Sequence, residues 1–169
     1  MKTTLWAALT ANGNYARSSA ENPPKPETLD DFAAHVRKAG NFVVGRRTFE
    51  AFNTAGAPAG NPFGEIDIVV VSQAQREIPG ATCVSSPQEA LSFLERRGHE
   101  TALLAGGESL HNAFLAQDLV DELVFNVVPT LEGKGLNVLL PEGQNRELQL
   151  QETKPLGNGI IQQRYAIAR

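Results

Sequence analysis

Short apolar runs alternate with amphipathic helical stretches along most of this chain, and that alternation admits few architectures. Thr3 to Ala11 reads as a buried strand closed by a turn at Asn12-Gly13-Asn14. Leu29 to Ala39 follows as a helix, with Thr28 as its N-cap, Phe32, Val36 and Ala39 on one face, and Gly40 as its stop. Strands at Asn41 to Val44, Ile66 to Val71, Thr82 to Val84 and Thr101 to Leu104 are interleaved with helices at Pro87 to Arg97, N-capped by Ser86, and at Ser109 to Ala116. Strands joined through helices run parallel, so the pattern predicts an α/β fold with a mostly parallel sheet covered on both faces. Leu119 to Pro129 and Gly159 to Ala168 read as strands without a strong helix between them, which predicts an antiparallel C-terminal edge. Gly133 to Asn145 is an irregular excursion. No boundary or repeat interrupts the pattern, and residues 1–169 read as a single domain.

Two of the strands run straight through glycine into a helix start: Asn41-Phe-Val-Val-Gly-Arg-Arg-Thr-Phe-Glu50 and Thr101-Ala-Leu-Leu-Ala-Gly-Gly-Glu-Ser-Leu-His111. A helix start offers unpaired backbone N–H groups and the positive end of the helix dipole, a setting for anions. Arg46, Arg47 and Thr48 add guanidinium and hydroxyl donors at the first junction. Two such junctions predict a ligand carrying separated phosphates, a description that an NADPH-like dinucleotide fits. The proline-containing stretch Arg17 to Pro26 and the glycine- and proline-rich stretch Ala55 to Gly64 read as loops.

Composition narrows the function classes. A net charge of −4 argues against general nucleic-acid binding, which needs a basic surface. The single Cys83 cannot form an internal disulfide, and His35, His99 and His111 show no metal-ligand spacing, so a reducing cytoplasmic setting without a metal is expected. No run approaches the roughly 20 apolar residues of a membrane span.

The ordered fragments Trp6-Ala-Ala-Leu-Thr-Ala-Asn-Gly13, Val44-Gly-Arg-Arg-Thr-Phe49, Val71-Ser-Gln73, Ala105-Gly-Gly-Glu-Ser109 and Asp121-Glu-Leu-Val-Phe-Asn-Val-Val-Pro-Thr-Leu-Glu-Gly133 extend over nearly the whole chain. Together they resemble the dihydrofolate reductase superfamily, in particular the branch of the reductase domain of the bifunctional riboflavin-biosynthesis deaminase-reductase. The resemblance implies a three-layer fold with a mostly parallel sheet of about eight strands and an antiparallel C-terminal edge. It also implies NADPH as cofactor, a small heterocyclic substrate of pterin or pyrimidine type, and a homodimer.

For the site, the resemblance implies that Gly45, Arg46, Arg47 and Thr48, with Gly106, Gly107, Glu108, Ser109 and Leu110, grip the cofactor phosphates, and that Ser72 and Gln73 meet the adenosine ribose. Ala7 and Ala8 would lie along the nicotinamide, flanked by Trp6 and Tyr15. Phe32, Phe49 and Phe52 would wall the substrate pocket. An acid near the start of the first helix is implied; Glu27, Asp30 and Asp31 all fall there, with Asp31 favoured for its place beside Phe32, and Asn126 would face the substrate next to it. His35 and His111 read as surface or packing residues. One departure bears on substrate: Phe49-Glu-Ala-Phe-Asn-Thr-Ala-Gly-Ala-Pro58 lacks the arginine that riboflavin-pathway reductases use for their substrate's phosphate. The alternative expectation is a nucleotide-binding protein that keeps the cleft and catalyses nothing.

Overall fold

In a computed structural model, residues 1–16, 23–54, 65–74 and 77–169 are described, without the side chains of residues 52–54. Of the expected loop Arg17 to Pro26, residues 17–22 lie outside the described residues and Pro26 already begins a helix; the expected loop at 55–64 and the Phe52 side chain also lie outside them. In chain order the elements are β1 (Lys2–Thr10), α1 (Pro26–Ala39), β2 (Asn41–Gly45), α2 (Arg46–Thr54), β3 (Asp67–Val71), β4 (Thr82–Val84), α3 (Pro87–Arg96), β5 (Thr101–Gly106), α4 (Glu108–Ala116), β6 (Glu122–Val128), β7 (Leu148–Gly157) and β8 (Ile160–Ile167). One eight-stranded sheet runs in the order β4-β3-β2-β5-β1-β6-β8-β7. The pairings from β4 to β6 are parallel, whereas β6–β8 and β8–β7 are antiparallel. This is the α/β architecture that the alternation predicts, with the eight strands and antiparallel edge that the dihydrofolate reductase resemblance implies.

Side-chain parity divides the core between two faces. Trp6, Val44, Val70, Leu103 and Val124 pack against Phe32 and Val36 of α1 and Phe49 of α2. Leu5, Ala7, Leu9, Val43, Val69 and Leu104 pack against Ala90 and Leu94 of α3 and Leu110 and Phe114 of α4. Each face buries branched aliphatic and aromatic surface worth about 25 cal/mol per Å2. Asn41, fully buried at the start of β2, donates through Nδ2 to the Thr101 carbonyl at 2.7 Å and accepts the Leu103 N–H at 3.3 Å, fastening β2 to β5.

Local signals set most ends. Gly40 closes α1 in the left-handed region at φ 75°, its N–H returning to the Val36 carbonyl, and the Ser86 hydroxyl accepts the Glu89 N–H at the start of α3. The expected cap at Thr28 is corrected. Helix α1 begins at Pro26 after an N-cap at Lys25, because proline fits a first helical position, and the Thr28 hydroxyl lies inside the first turn, donating to the Lys25 carbonyl. Strand β7 has no counterpart in the sequence reading: nearly all of it is exposed, and Pro155 interrupts its pattern at the sheet edge. Asn158 and Gly159, both at positive φ, form the two-residue turn that returns the chain into β8.

Tyr15 and His111 tie the turn after β1 to α4. His111 is fully buried; its Nε2 lies 3.1 Å from the Leu104 carbonyl and its Nδ1 2.7 Å from the Tyr15 hydroxyl. A carbonyl only accepts, so Nε2 carries the proton and Nδ1 accepts from Tyr15. His111, expected on the surface or in packing, is therefore a hydrogen-bonded core residue. Burial pushes its pKa down to about 4 against the opposing pull of the Leu104 carbonyl, and burial aided by the Glu108 charge pushes the Tyr15 phenol up. Between the ordinary histidine value and about pH 4 the unfolded chain binds a proton that the folded chain refuses, so stability falls as pH falls through that window. Urea unfolding should show roughly 2–3 kcal/mol more loss between pH 7 and pH 4.5 in the wild type than in His111→Gln.

Candidate active site

The parallel strands end along one edge of the sheet, and there the two glycine junctions meet. Helix α2 carries the chain from β2 to β3, while α4 carries it from β5 past β1 to β6 on the opposite face. Between β2 and β5 the crossovers thus depart in opposite directions, which opens a crevice outside the strand ends. A bulge brings the junctions together: Val43 pairs with Leu104 but Val44 pairs with Gly106, so Ala105 is the extra residue that re-aims the end of β5. A Cβ placed on Gly45 would lie 3.8 Å from the Gly106 carbonyl oxygen and 3.9 Å from the Gly107 nitrogen. One placed on Gly107 would sit 2.9 Å from Thr48 Oγ1, inside contact distance. Glycine avoids a clash there, since a side chain would force the Thr48 hydroxyl on α2 to move. The Gly106–Gly107 peptide is cis.

No acidic residue occupies the first turn of α2, and no side chain caps α4 at Gly107. Glu108, a repulsive neighbour for phosphate by sequence, turns along its own helix, where Oε1 accepts from Asn112 Nδ2 at 3.0 Å. Asn112 also donates to the Asn137 carbonyl and accepts the Leu139 N–H, and Asn137 donates to Asn14 Oδ1. This asparagine lattice pins the turn after β1 and the 131–139 stretch to the start of α4. Arg46 pairs with Glu50 one turn further along α2 at 3.3 Å, Arg47 and Ser109 are exposed, and Leu110 is buried below the junction. Ser72 and Gln73 follow the last residue of β3, beside Gly45 on the neighbouring strand.

On the α1 face, Asp31 gathers a polar cluster. Its Oδ2 accepts from Trp6 Nε1 at 2.9 Å, Asn126 Nδ2 at 3.1 Å and Gln162 Nε2 at 2.7 Å. Gln162 Nε2 also reaches Asn126 Oδ1 at 2.9 Å. Both amides are buried, and neither could be held in the core without such partners. Register explains the meeting: Ala8 pairs with Asn126 and Asn126 with Gln162, so one row across β1, β6 and β8 lies beneath the first turns of α1. His35 Nδ1 lies 2.8 Å from the Asp31 carbonyl and 3.4 Å from Oδ2. Asp30 is exposed, and Glu27 is bonded by Asn158 of the β7–β8 turn.

The remaining expected site residues divide by parity. Ala8 shares the face of Asp31, whereas Ala7 points to the other face and packs in the α3–α4 core. Phe32 and Phe49 are buried in the α1–α2 core, with Phe32 5.0 Å from Trp6 between ring centroids. Trp6 serves the cluster as a hydrogen-bond donor to Asp31. Sequence reasoning missed Gln162, yet a signal existed: Gln162 alternates with buried Ile160 across exposed Ile161, the parity of an inward position.

The contact between Gly107 and Thr48 yields a direct test. Gly107→Ala should destabilise the fold by about 1–3 kcal/mol through overpacking. Adding Thr48→Ala should recover part of that loss, seen as a favourable coupling in a double-mutant cycle of urea unfolding.

Comparison with known proteins agrees with this fold. Over 57 residues the chain is 32% identical to the uncharacterized protein YwjB of Bacillus subtilis (strain 168), a match spanning 34% of this chain and 33% of that protein. The chain thus covers about a third of that curated relative. A putative riboflavin biosynthesis protein from Shewanella sp. PV-4 superposes with a TM-score of 0.81 at 20% identity, covering 100% of both chains. A pyrimidine reductase-like protein from Corynebacterium diphtheriae superposes with a TM-score of 0.77 at 16% identity, covering 99% of this chain and 92% of the other. Acinetobacter baumannii RibD gives 0.75 at 17% identity, covering 99% of this chain but 58% of the longer one. These structural likenesses establish the fold. Residues 2–162 match the RibD C-terminal domain family, and the chain belongs to that family.

Proposed function

We propose that this protein is an NADPH-dependent reductase that delivers hydride to a small planar heterocycle of pyrimidine or pterin type. The order of features along one sheet edge carries the reading. Ser72 and Gln73 follow β3, the glycine junctions end β2 and β5, and Ala8 and Asn126 lie on β1 and β6. At the usual strand spacing these span roughly 19 Å, in the sequence adenosine ribose, diphosphate, nicotinamide, acid. The cradle fits a dinucleotide, since Gly45 and Gly107, whose Cβ positions face the opposite junction, let two helix starts lie close enough to meet one ligand.

Bound nicotinamide supplies the hydride. The backbone N–H groups at the starts of α2 and α4 hold phosphate oxygens, with Arg46, Arg47 and Thr48 contributing side-chain donors. Trp6, Asn126 and Gln162 fix Asp31 through Oδ2 and leave Oδ1 to accept an N–H of the heterocycle or to hold the proton passed to it. Ala8 leaves room beside Asn126 for a flat ring. Membership in the RibD C-terminal domain family supports a reductase of pyrimidine type.

Leu148, Leu150 and Ile161 expose apolar surface on the β7–β8 edge, which an adjoining copy would cover in a homodimer. Light scattering should then give twice the chain mass, and Leu150→Lys should lower it.

Titration with NADPH and NADH, followed by NADPH oxidation against the riboflavin pyrimidine intermediate, dihydrofolate and a pterin panel, tests the activity. Arg46→Ala and Arg47→Ala should weaken NADPH more than NADH; equal losses would place both side chains on the shared diphosphate. Asp31→Asn should lower kcat by about 10²–10⁴-fold with NADPH affinity unchanged. NADPH binding without turnover of any substrate would favour the nucleotide-binding module instead.

A further inference from the structure

Strands β1 and β5 part inside the cleft. They pair in register from Lys2 and Thr101 up to Leu5 and Leu104, and no further among the described residues. Above that point β1 keeps β6 as its partner as far as Thr10 and Val128, while β5 turns at its bulge toward β2, where Val44 meets Gly106. The nicotinamide end of the proposed cleft, at Ala8, and its diphosphate end, at Gly106-Gly107, therefore lie on neighbouring strands that no ladder of backbone hydrogen bonds joins at that height. Such a gap leaves the spacing of the two ends to side chains.

Tyr15 and His111 span the gap. The Leu104 carbonyl, at the point where the strands separate, accepts from His111 Nε2 at 3.1 Å, and the Tyr15 hydroxyl donates to His111 Nδ1 at 2.7 Å. On the α4 side the His111 N–H donates to the Gly107 carbonyl at 3.0 Å, and its ring Cε1 would lie 3.8 Å from a Cβ placed on Gly106, so the ring sits against the glycine junction. On the β1 side the chain folds back on itself: Tyr15 bridges to Leu9, and the Ala16 N–H donates to the Ala8 carbonyl at 2.9 Å. The asparagine lattice fastens the same turn to α4 through the intervening 131–139 stretch, whereas the Tyr15–His111 bond is direct. The His111 ring is fully buried with both nitrogens matched. An apolar side chain would fill the same space, but only a directional bond fixes where the turn after β1 stands relative to the junction.

We propose that Tyr15 and His111 are positioning residues that set the spacing between the two ends of the cleft, and so place the reduced nicotinamide for hydride transfer while leaving the grip on the adenosine end to other groups. The role rests on the dinucleotide reading of the cleft. Neither side chain has to touch the reacting atoms, because a displacement of about 1 Å in the ring costs a transfer step on the order of 10²-fold.

Titration of the full chain with NADPH and with adenosine 2′,5′-bisphosphate, which fills only the adenosine end, tests the role, with the emission anisotropy of the reduced ring read in the NADPH titration. Tyr15→Phe removes one hydroxyl and keeps the ring. It should weaken NADPH about tenfold and lower the anisotropy of the bound reduced ring, while the affinity for the adenosine bisphosphate stays within about twofold of wild type. Should Tyr15→Phe fail to fold, His111→Asn, too short to span both partners, carries the same comparison. Ser86→Ala, which loosens the fold by removing the α3 cap, should leave both affinities as in the wild type. Equal loss of both ligands in Tyr15→Phe, or unchanged NADPH affinity and anisotropy, would overturn the proposal and leave the dinucleotide reading standing. A wild-type chain that binds neither ligand would overturn that reading and the proposal together.

Discussion

The approach of two backbone segments at the ends of β2 and β5 is the constraint on which the candidate site depends. Parallel strands whose crossovers depart in opposite directions leave a gap between their ends, and here that gap holds Gly45 on one side and Gly106-Gly107 on the other. Thr48 Oγ1 lies 2.9 Å from where a Cβ of residue 107 would stand, so the start of α4 can lie this close to α2 without strain only with glycine there. The bulge at Ala105 supplies the change of direction that this closeness needs. Helix starts from both faces then serve one groove. Either alone would be an ordinary helix end.

The Asp31 cluster depends on a different device, the register of three strands. Ala8, Asn126 and Gln162 form one row, and α1 lays Asp31 across it. Buried amides are tolerated because the carboxylate accepts from both, and the carboxylate is oriented because the amides and the Trp6 indole donate to one oxygen. Packing of Phe32 on Trp6 and Phe42 fixes α1 at the height where these bonds form. Fold stability and site geometry therefore rest on the same contacts, so truncation of Phe32 would disturb both.

Much of this was legible in residue order. Apolar alternation gave the parallel sheet and its antiparallel edge, the glycines gave the junctions, and the place beside Phe32 made Asp31 the favoured one of three carboxylates, the one that the cluster surrounds. The exposed β7 was hidden because an edge strand needs no apolar face, and Pro155 removes what alternation remains. His111 read as a surface or packing residue, but its partners were hidden because a histidine in a helix shows nothing of them, and the Tyr15 hydroxyl that justifies its burial is 96 residues away.

Apart from β7, sequence by itself determined the kinds of element, their order and the chemistry available at each strand end, because periodicity, glycine and helix-start composition act over a few residues. Only the tertiary structure decided which groups meet. Strand register brought Gln162 and Trp6 to Asp31, parity sent Ala7 and Ala8 to opposite faces, and the sheet order set the glycine junctions side by side. Such meetings join residues from distant parts of the chain, and a one-residue change of register would undo them without altering any local signal.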